Sequence, residues 1–131
     1  MLTGSFASSL QGEPRLTHDI DFVAVISEDT IPQLMTSFPP PNFFLDKDRI
    51  QEAIRTKTMF NLLHVVEGDK VDFWMLTDEP FDASRFRRRR KEHALGMEVV
   101  VSSPEDTILA KLRWTKMSGG SERQFRDAER L

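Results

Sequence analysis

The segment Leu16-Thr17-His18-Asp19-Ile20-Asp21-Phe22-Val23-Ala24-Val25-Ile26 reads as a β-strand in which two acids sit two residues apart. Side chains alternate between the faces of a strand, so Thr17, Asp19 and Asp21 point one way and Ile20 and Phe22 the other. The two carboxylates share a face, roughly 6.6 Å apart at their backbone. Like charges placed this way repel and lose solvation, and an otherwise apolar strand gains nothing from them unless a cation sits between them. A divalent cation is the expected occupant.

The chain has 131 residues, enough for one domain with a real core and too few for two independent ones. It has no cysteine, which excludes disulfides, zinc-thiolate sites and thiol nucleophiles. Its net charge of -3 favours no class of partner by itself. No signal peptide is recognisable and no apolar run approaches the roughly 20 residues of a membrane span, so the expected location is cytoplasmic and no membrane partner is expected. Only Met1 and Leu2 precede the turn Thr3-Gly4-Ser5, too few for the strand that normally delivers such a turn. Arg123 to Leu131 reads as a helix without a C-cap glycine. Both features read as a chain trimmed at its ends.

Further elements follow from local chemistry. Phe6 to Leu10 reads as a short helix ending at Gly12, and Ser27 to Phe38 as a helix stopped by Pro39-Pro40-Pro41. Asp46 is placed to cap a helix through about Lys57, with Ile50, Ala53 and Ile54 on its apolar side. Asn61 to Val66 and Lys70 to Leu76 form a predicted hairpin around Gly68-Asp69, which sets Glu67 opposite Lys70. Lys70, Asp72 and Trp74 then share one face, and Val71, Phe73 and Met75 the other. Met97 to Ser102 reads as a strand. Ser103-Pro104-Glu105-Asp106 starts a helix that runs to about Met117, with Ser103 as cap. Ser118-Gly119-Gly120 breaks it before a last helix.

Gly4-Ser5 at a strand-to-helix turn, Arg15-x-Thr17-x-Asp19-x-Asp21, Lys70-Val71-Asp72 in a later strand, Lys111 in Ala110-Lys111-Leu112, and Arg126-Asp127 occur in that order. Together they resemble the nucleotidyltransferase fold of the polymerase-β type, and most closely its AbiEii-type and MenT-type toxin-like branch. The resemblance spans nearly the whole chain. It implies an α/β (α+β) domain: a short mixed sheet flanked by helices, with a catalytic core over residues 1–102 and a small, truncated C-terminal helical part over 103–131.

That resemblance implies an enzyme that transfers a nucleotide from a nucleoside triphosphate to an acceptor hydroxyl. Magnesium, with manganese as a substitute, takes hard oxygen ligands, which suits Asp19 and Asp21. Two ions about 3.5–4 Å apart would brace the attacking and leaving oxygens, with Asp72 as a further ligand or as acceptor of the hydroxyl proton. Backbone N–H groups at Gly4 and Ser5 would hold phosphates, and Arg15 and Thr17 would contact nucleotide. Lys111 would neutralise phosphate charge, and Asp127 would orient Lys111 or the acceptor. The implied acceptor is the 3′ end of a tRNA or another RNA, and the implied partner is a cognate antitoxin.

Ordinary readings stand beside these. Thr17 is a good strand former, and an Arg near two acids pairs with them in any fold. Arg87-Arg88-Arg89-Arg90-Lys91 has the charge of an RNA-binding patch but no aromatic pair for stacking bases. His18 and His64 read as strand residues, and Phe43, Phe44 and Trp74 as core or pocket wall. Two alternatives to the tRNA-directed enzyme remain open: the same transfer onto a protein side chain or small molecule, and a non-catalytic domain that binds nucleotide or another protein.

Overall fold

The computed structural model describes residues 1–4, 7, 19–94 and 96–117. The expected elements and site residues at Ser5, the Phe6–Leu10 helix apart from Ala7, Arg15, Thr17, His18, the last helix and Asp127 lie outside the described residues. Among the described residues the chain builds a seven-stranded mixed sheet in the order β3-β4-β5-β2-β1-β7-β6. The strands are β1 (Leu2–Thr3), β2 (Asp19–Ala24), β3 (Phe43–Phe44), β4 (Met59–His64), β5 (Lys70–Met75), β6 (Arg90–Ala94) and β7 (Met97–Val101). The α-helices are α1 (Ile31–Ser37), α2 (Lys47–Thr56), α3 (Pro80–Arg87) and α4 (Pro104–Met117). This is the mixed α/β architecture expected from the sequence.

At the centre, β2 and β5 run parallel and in register, with Asp21 opposite Asp72 and Phe22 opposite Phe73. Strand β4 extends the sheet antiparallel to β5, placing Phe60 opposite Phe73. The rings form a row across three strands: Phe22 and Phe73 stack at 5.7 Å, and Phe60 and Phe73 at 5.0 Å. Leu2 and Val101 continue the row on β1 and β7. Helices α1 and α2 cover its β4–β5 end, burying Ile31, Ile50 and Ala53 against Phe60 and Met75 with Phe73 beside them, while Phe22 packs with Leu2 and Val101 in a second cluster. The expected cap of α2 is formed: the Asp46 carboxylate accepts the backbone N–H of Asp48 and of Arg49.

Three local expectations change. Residues 27–38 do not form one helix: a 3₁₀ turn at Glu28–Thr30 precedes α1. Pro32 has no N–H to give Glu28, so an α-helical ladder cannot run through that point. The strand judged too short to exist is present as β1. Its two residues pair antiparallel with β2 and parallel with β7, extended by Val23 N–H to Met1 O at 2.7 Å and Ser102 N–H to Leu2 O at 2.9 Å.

The hairpin register differs by four residues from the expected one: Lys70 opposes Leu63, not Glu67. Val65 and Val66, read as strand, lie in the connecting loop. Gly68 N–H closes a helical turn onto His64 O at 2.9 Å, and Gly68 takes φ +72° before the chain re-enters β5. Because the shift is even, Lys70, Asp72 and Trp74 keep the predicted face.

Helix α3 and strand β6 occupy the stretch read only as basic. Pro80 in the first turn of α3, Asp82 near its start and Arg85 and Arg87 near its end follow ordinary helix signals. Arg88 pairs through both nitrogens with Asp106, at 2.9 and 2.5 Å. Asp106 is 1% exposed at the start of α4 and also accepts from Ser103 Oγ at 2.8 Å. At its other end α4 returns to α3, where Arg113 reaches Glu79 at 2.8 Å and lies over the Phe81 ring.

Two predictions follow from this packing. Phe60→Ala removes the outer ring of the stacked row and costs about 3–5 kcal/mol, measurable by chemical denaturation. The Arg88 pair holds the Asp106 carboxyl below its usual range, so the folded state binds that proton less readily than the unfolded chain. Its stabilisation is complete above the ordinary aspartate value and fades as pH falls through the depressed one. Arg88→Met removes this acid-limb contribution and lowers the melting temperature at neutral pH, as thermal melts across pH will show.

Candidate active site

The face opposite the phenylalanine row carries Thr3, Asp21, Asp72 and Asn61 side by side on β1, β2, β5 and β4. In-phase parallel pairing puts the Asp21 and Asp72 side chains on neighbouring strands and on the same face. Asp72 is 8% exposed; Asn61 Nδ2 donates to its Oδ1, and Lys70 Nζ lies 3.7 Å from its Oδ2. Asp21 is half-buried, and Trp74 Nε1 donates to its Oδ1 at 3.3 Å. Asp19, one pair along and opposite Lys70, is exposed.

Gly4 makes room for Asp21. A Cβ at Gly4 would stand 2.3 Å from Asp21 Oδ2, and Gly4 takes φ +70°, which L side chains rarely adopt. The turn expected to meet phosphates is therefore in contact with the carboxylate expected to meet metal. Ala7, 0% exposed, packs against Leu2 and Val101.

The electrostatics of the pair are unfavourable as it stands. The Asp21 carboxyl is pushed above its usual range, first by burial and then by Asp72 and Asp19, while the Trp74 hydrogen bond works in the opposite direction. Among the described residues, no group of three or more His, Cys, Asp or Glu side chains is arranged to hold a metal ion. Asp21 and Asp72 are brought together. Asp19 lies on the same face but further out.

Lys111 is 4% exposed, on the turn of α4 before Trp114. Trp114 meets Trp74 edge-on at 6.5 Å, bringing this part of α4 to the carboxylate face. Ser5, Arg15, Thr17 and Asp127 lie outside the described residues. Asn61 is the residue that sequence reasoning missed; Trp74, read there as core or pocket wall, is partly exposed and bonded to Asp21. The true register of the hairpin is the signal that exposes Asn61, because a four-residue slip puts Val65 opposite Asp72.

A hollow of about 270 Å³ lies at the other end of β2 and β5, between Ala24, Ile26, Ile54 and Met75 and beside the Lys57–Asp78 ion pair. It contains none of the acids described above. No helix among the described residues is long and apolar enough to cross a membrane. The chain matches no family model and no curated protein sequence.

Two outcomes test this geometry. Gly4→Ala forces a left-handed backbone on alanine and drives its methyl into Asp21, destabilising the fold by about 2 kcal/mol in chemical denaturation. Asp21→Asn should raise the melting temperature at neutral pH. A carboxyl raised in the folded state is protonated more readily there than in the unfolded chain, so its cost is present above the raised value and fades as pH falls through the usual carboxylate range. The advantage of the variant must shrink over that same range.

Proposed function

We propose that this chain is a magnesium-dependent nucleotidyltransferase, a cytoplasmic enzyme that moves a nucleotide from a nucleoside triphosphate onto an acceptor hydroxyl. The supporting observation is the Asp21–Asp72 pair on adjacent parallel strands, with Gly4 cleared against Asp21 and the Asp21 carboxyl raised by burial and by its acidic neighbours. The donors are hard oxygens, and a cation removes the repulsion among them, so the set fits magnesium or manganese. Asp21 and Asp72, the two carboxylates brought together, would hold the ion, with Asp19 further out on the same face, and the ion would supply charge neutralisation on the triphosphate and polarisation of the α-phosphate.

The remaining roles belong to the chain. Asn61 donates to Asp72 and fixes one of its oxygens, while Lys70 lies near the other. Asp72 is thereby positioned to accept the proton of the attacking hydroxyl. Backbone at the Gly4 turn would meet the β- and γ-phosphates, and Lys111, on the turn of α4 before Trp114, would neutralise their charge.

The family resemblance makes the acceptor the 3′ end of a tRNA and the protein the toxin partner of an antitoxin. One observation favours a second reading, transfer onto a protein side chain or small hydroxyl compound. The basic run is largely engaged within the fold: Arg88 pairs with Asp106, Arg89 lies over the Phe86 ring at 4.3 Å, and Lys91 is 3.7 Å from Glu98.

Calorimetric titration of each nucleoside triphosphate, with magnesium and then with chelator, tests the proposal. The expected result is magnesium-dependent binding that Asp21→Asn/Asp72→Asn abolishes in a folded protein, with transfer reduced at least on the order of 100-fold. Equal binding by the variant, or none by the folded wild type, overturns it. Labelled tRNA tested against protein and small-molecule acceptors then separates the two readings.

A further inference from the structure

The chain contains two tryptophans and no tyrosine, and both tryptophans stand at the carboxylate face. Trp74 follows Asp72 by two residues on β5, about 7 Å along the strand and on the same side. It is 37% exposed, and its ring is aimed by the bond from Nε1 to Asp21 Oδ1. Trp114 of α4, 51% exposed, meets it at 73° between ring planes. Large aromatic rings serve a core best when buried, and here the core is supplied by the phenylalanine row on the opposite face. Two partly exposed indoles beside a polar pair have the chemistry of a ligand wall.

We infer that Trp74, with Trp114 at its edge, is the stacking platform for the base of the nucleoside triphosphate. This rests on the nucleotidyl-transfer reading and adds how the nucleoside is held. Asp21 links the two ends of such a ligand. Its Oδ2 faces the Gly4 turn assigned to the phosphates, and its Oδ1 receives the Trp74 N–H. A base attached through ribose to a phosphate held beside Asp21 lies on the Trp74 side.

The surroundings favour an uncharged π-system. Asp19, Asp21 and Asp72 border the platform and disfavour an anionic group there unless a cation screens it, whereas a neutral base carries no such cost. Stacking accepts every base because every base has a π-face, so it grades ligands by ring size. The order expected is purine over pyrimidine, without strict choice of one base.

The same two residues provide the readout, because no other tryptophan or tyrosine contributes to fluorescence. The full-length protein is titrated with magnesium-ATP, magnesium-CTP and magnesium-tripolyphosphate, following tryptophan emission and calorimetric heat together. ATP should quench emission more than CTP, and tripolyphosphate should bind without comparable quenching. Trp74→Leu should weaken ATP binding roughly tenfold or more and tripolyphosphate binding much less, and Trp74→Phe, which also lacks the hydrogen bond to Asp21 but keeps a ring, should restore part of the ATP loss. Circular dichroism establishes that each variant is folded, and Trp114→Leu provides a second variant that leaves the hydrogen bond to Asp21 in place.

Equal affinity for ATP and tripolyphosphate, unchanged in Trp74→Leu, overturns the platform and leaves the nucleotidyl-transfer reading standing. Quenching by a short RNA alone, with ATP silent, overturns the assignment in favour of the acceptor's base. No binding of any triphosphate by the folded protein overturns both proposals.

Discussion

The in-phase parallel pairing of β2 with β5 is the constraint on which the rest of the structure depends. One register places Phe22 beside Phe73 on one face and Asp21 beside Asp72 on the other. The first pair, with Phe60, forms a stacked row whose Phe60–Phe73 end lies under α1 and α2 and whose Phe22 end packs with Leu2 and Val101. The second makes the polar site. A one-residue slip would bury the acids under the helices and expose the rings, so the burial of the phenylalanines holds the carboxylates in place. Stability and the site are two consequences of one pairing, on opposite faces of the same strands.

Much of this was legible in the sequence, and the reasons are local. Alternation along 19–24 and 70–75 assigned faces correctly, because a strand's period of two leaves no other choice. Asp46 and Ser103 announced their helices through side-chain oxygens placed to accept backbone N–H groups. What was not legible depended on partners distant in sequence. β1 exists because β2 and β7 already offer edges on both sides, a condition two residues cannot advertise. Val65-Val66 carries strand propensity, yet the helical turn closed by Gly68 N–H onto His64 O decides the hairpin, and Asn61 was hidden as a result. In the basic run, charge was visible but pairing was not: the partner of Arg88 is Asp106, eighteen residues later.

The Arg88–Asp106 pair also bears on how α4 serves the site. Asp106 is buried at the start of that helix, and two arginine nitrogens from the end of α3 satisfy it together with the hydroxyl of Ser103. A buried carboxylate satisfied in this way constrains position more than it stabilises, because desolvation offsets much of the attraction. Arg113, gripping Glu79 and Phe81, fixes the other half of α4. With both ends of α3 tied to it, α4 brings Trp114 against Trp74 at the carboxylate face. A run of arginines that reads as an RNA patch thus acts in part as the fastening of a helix.

Asp21 is where these constraints meet. Phe22 fixes its strand, Gly4 yields space to one oxygen, Trp74 holds the other, and Asp72 is its neighbour in register. Each contact narrows where the carboxylate can go, and only the Trp74 bond favours its charged form; burial and the nearby acids oppose it. A group confined this closely and left unfavourably charged gains from a ligand that brings positive charge without requiring movement. Under the proposed function, a divalent cation chelated by triphosphate would meet that requirement: the ion would answer the carboxylates, and the nucleoside would carry a base to the indole already bonded to Asp21. On that reading, the unfavourable charge at Asp21 and the exposed ring of Trp74 would be two halves of one binding site.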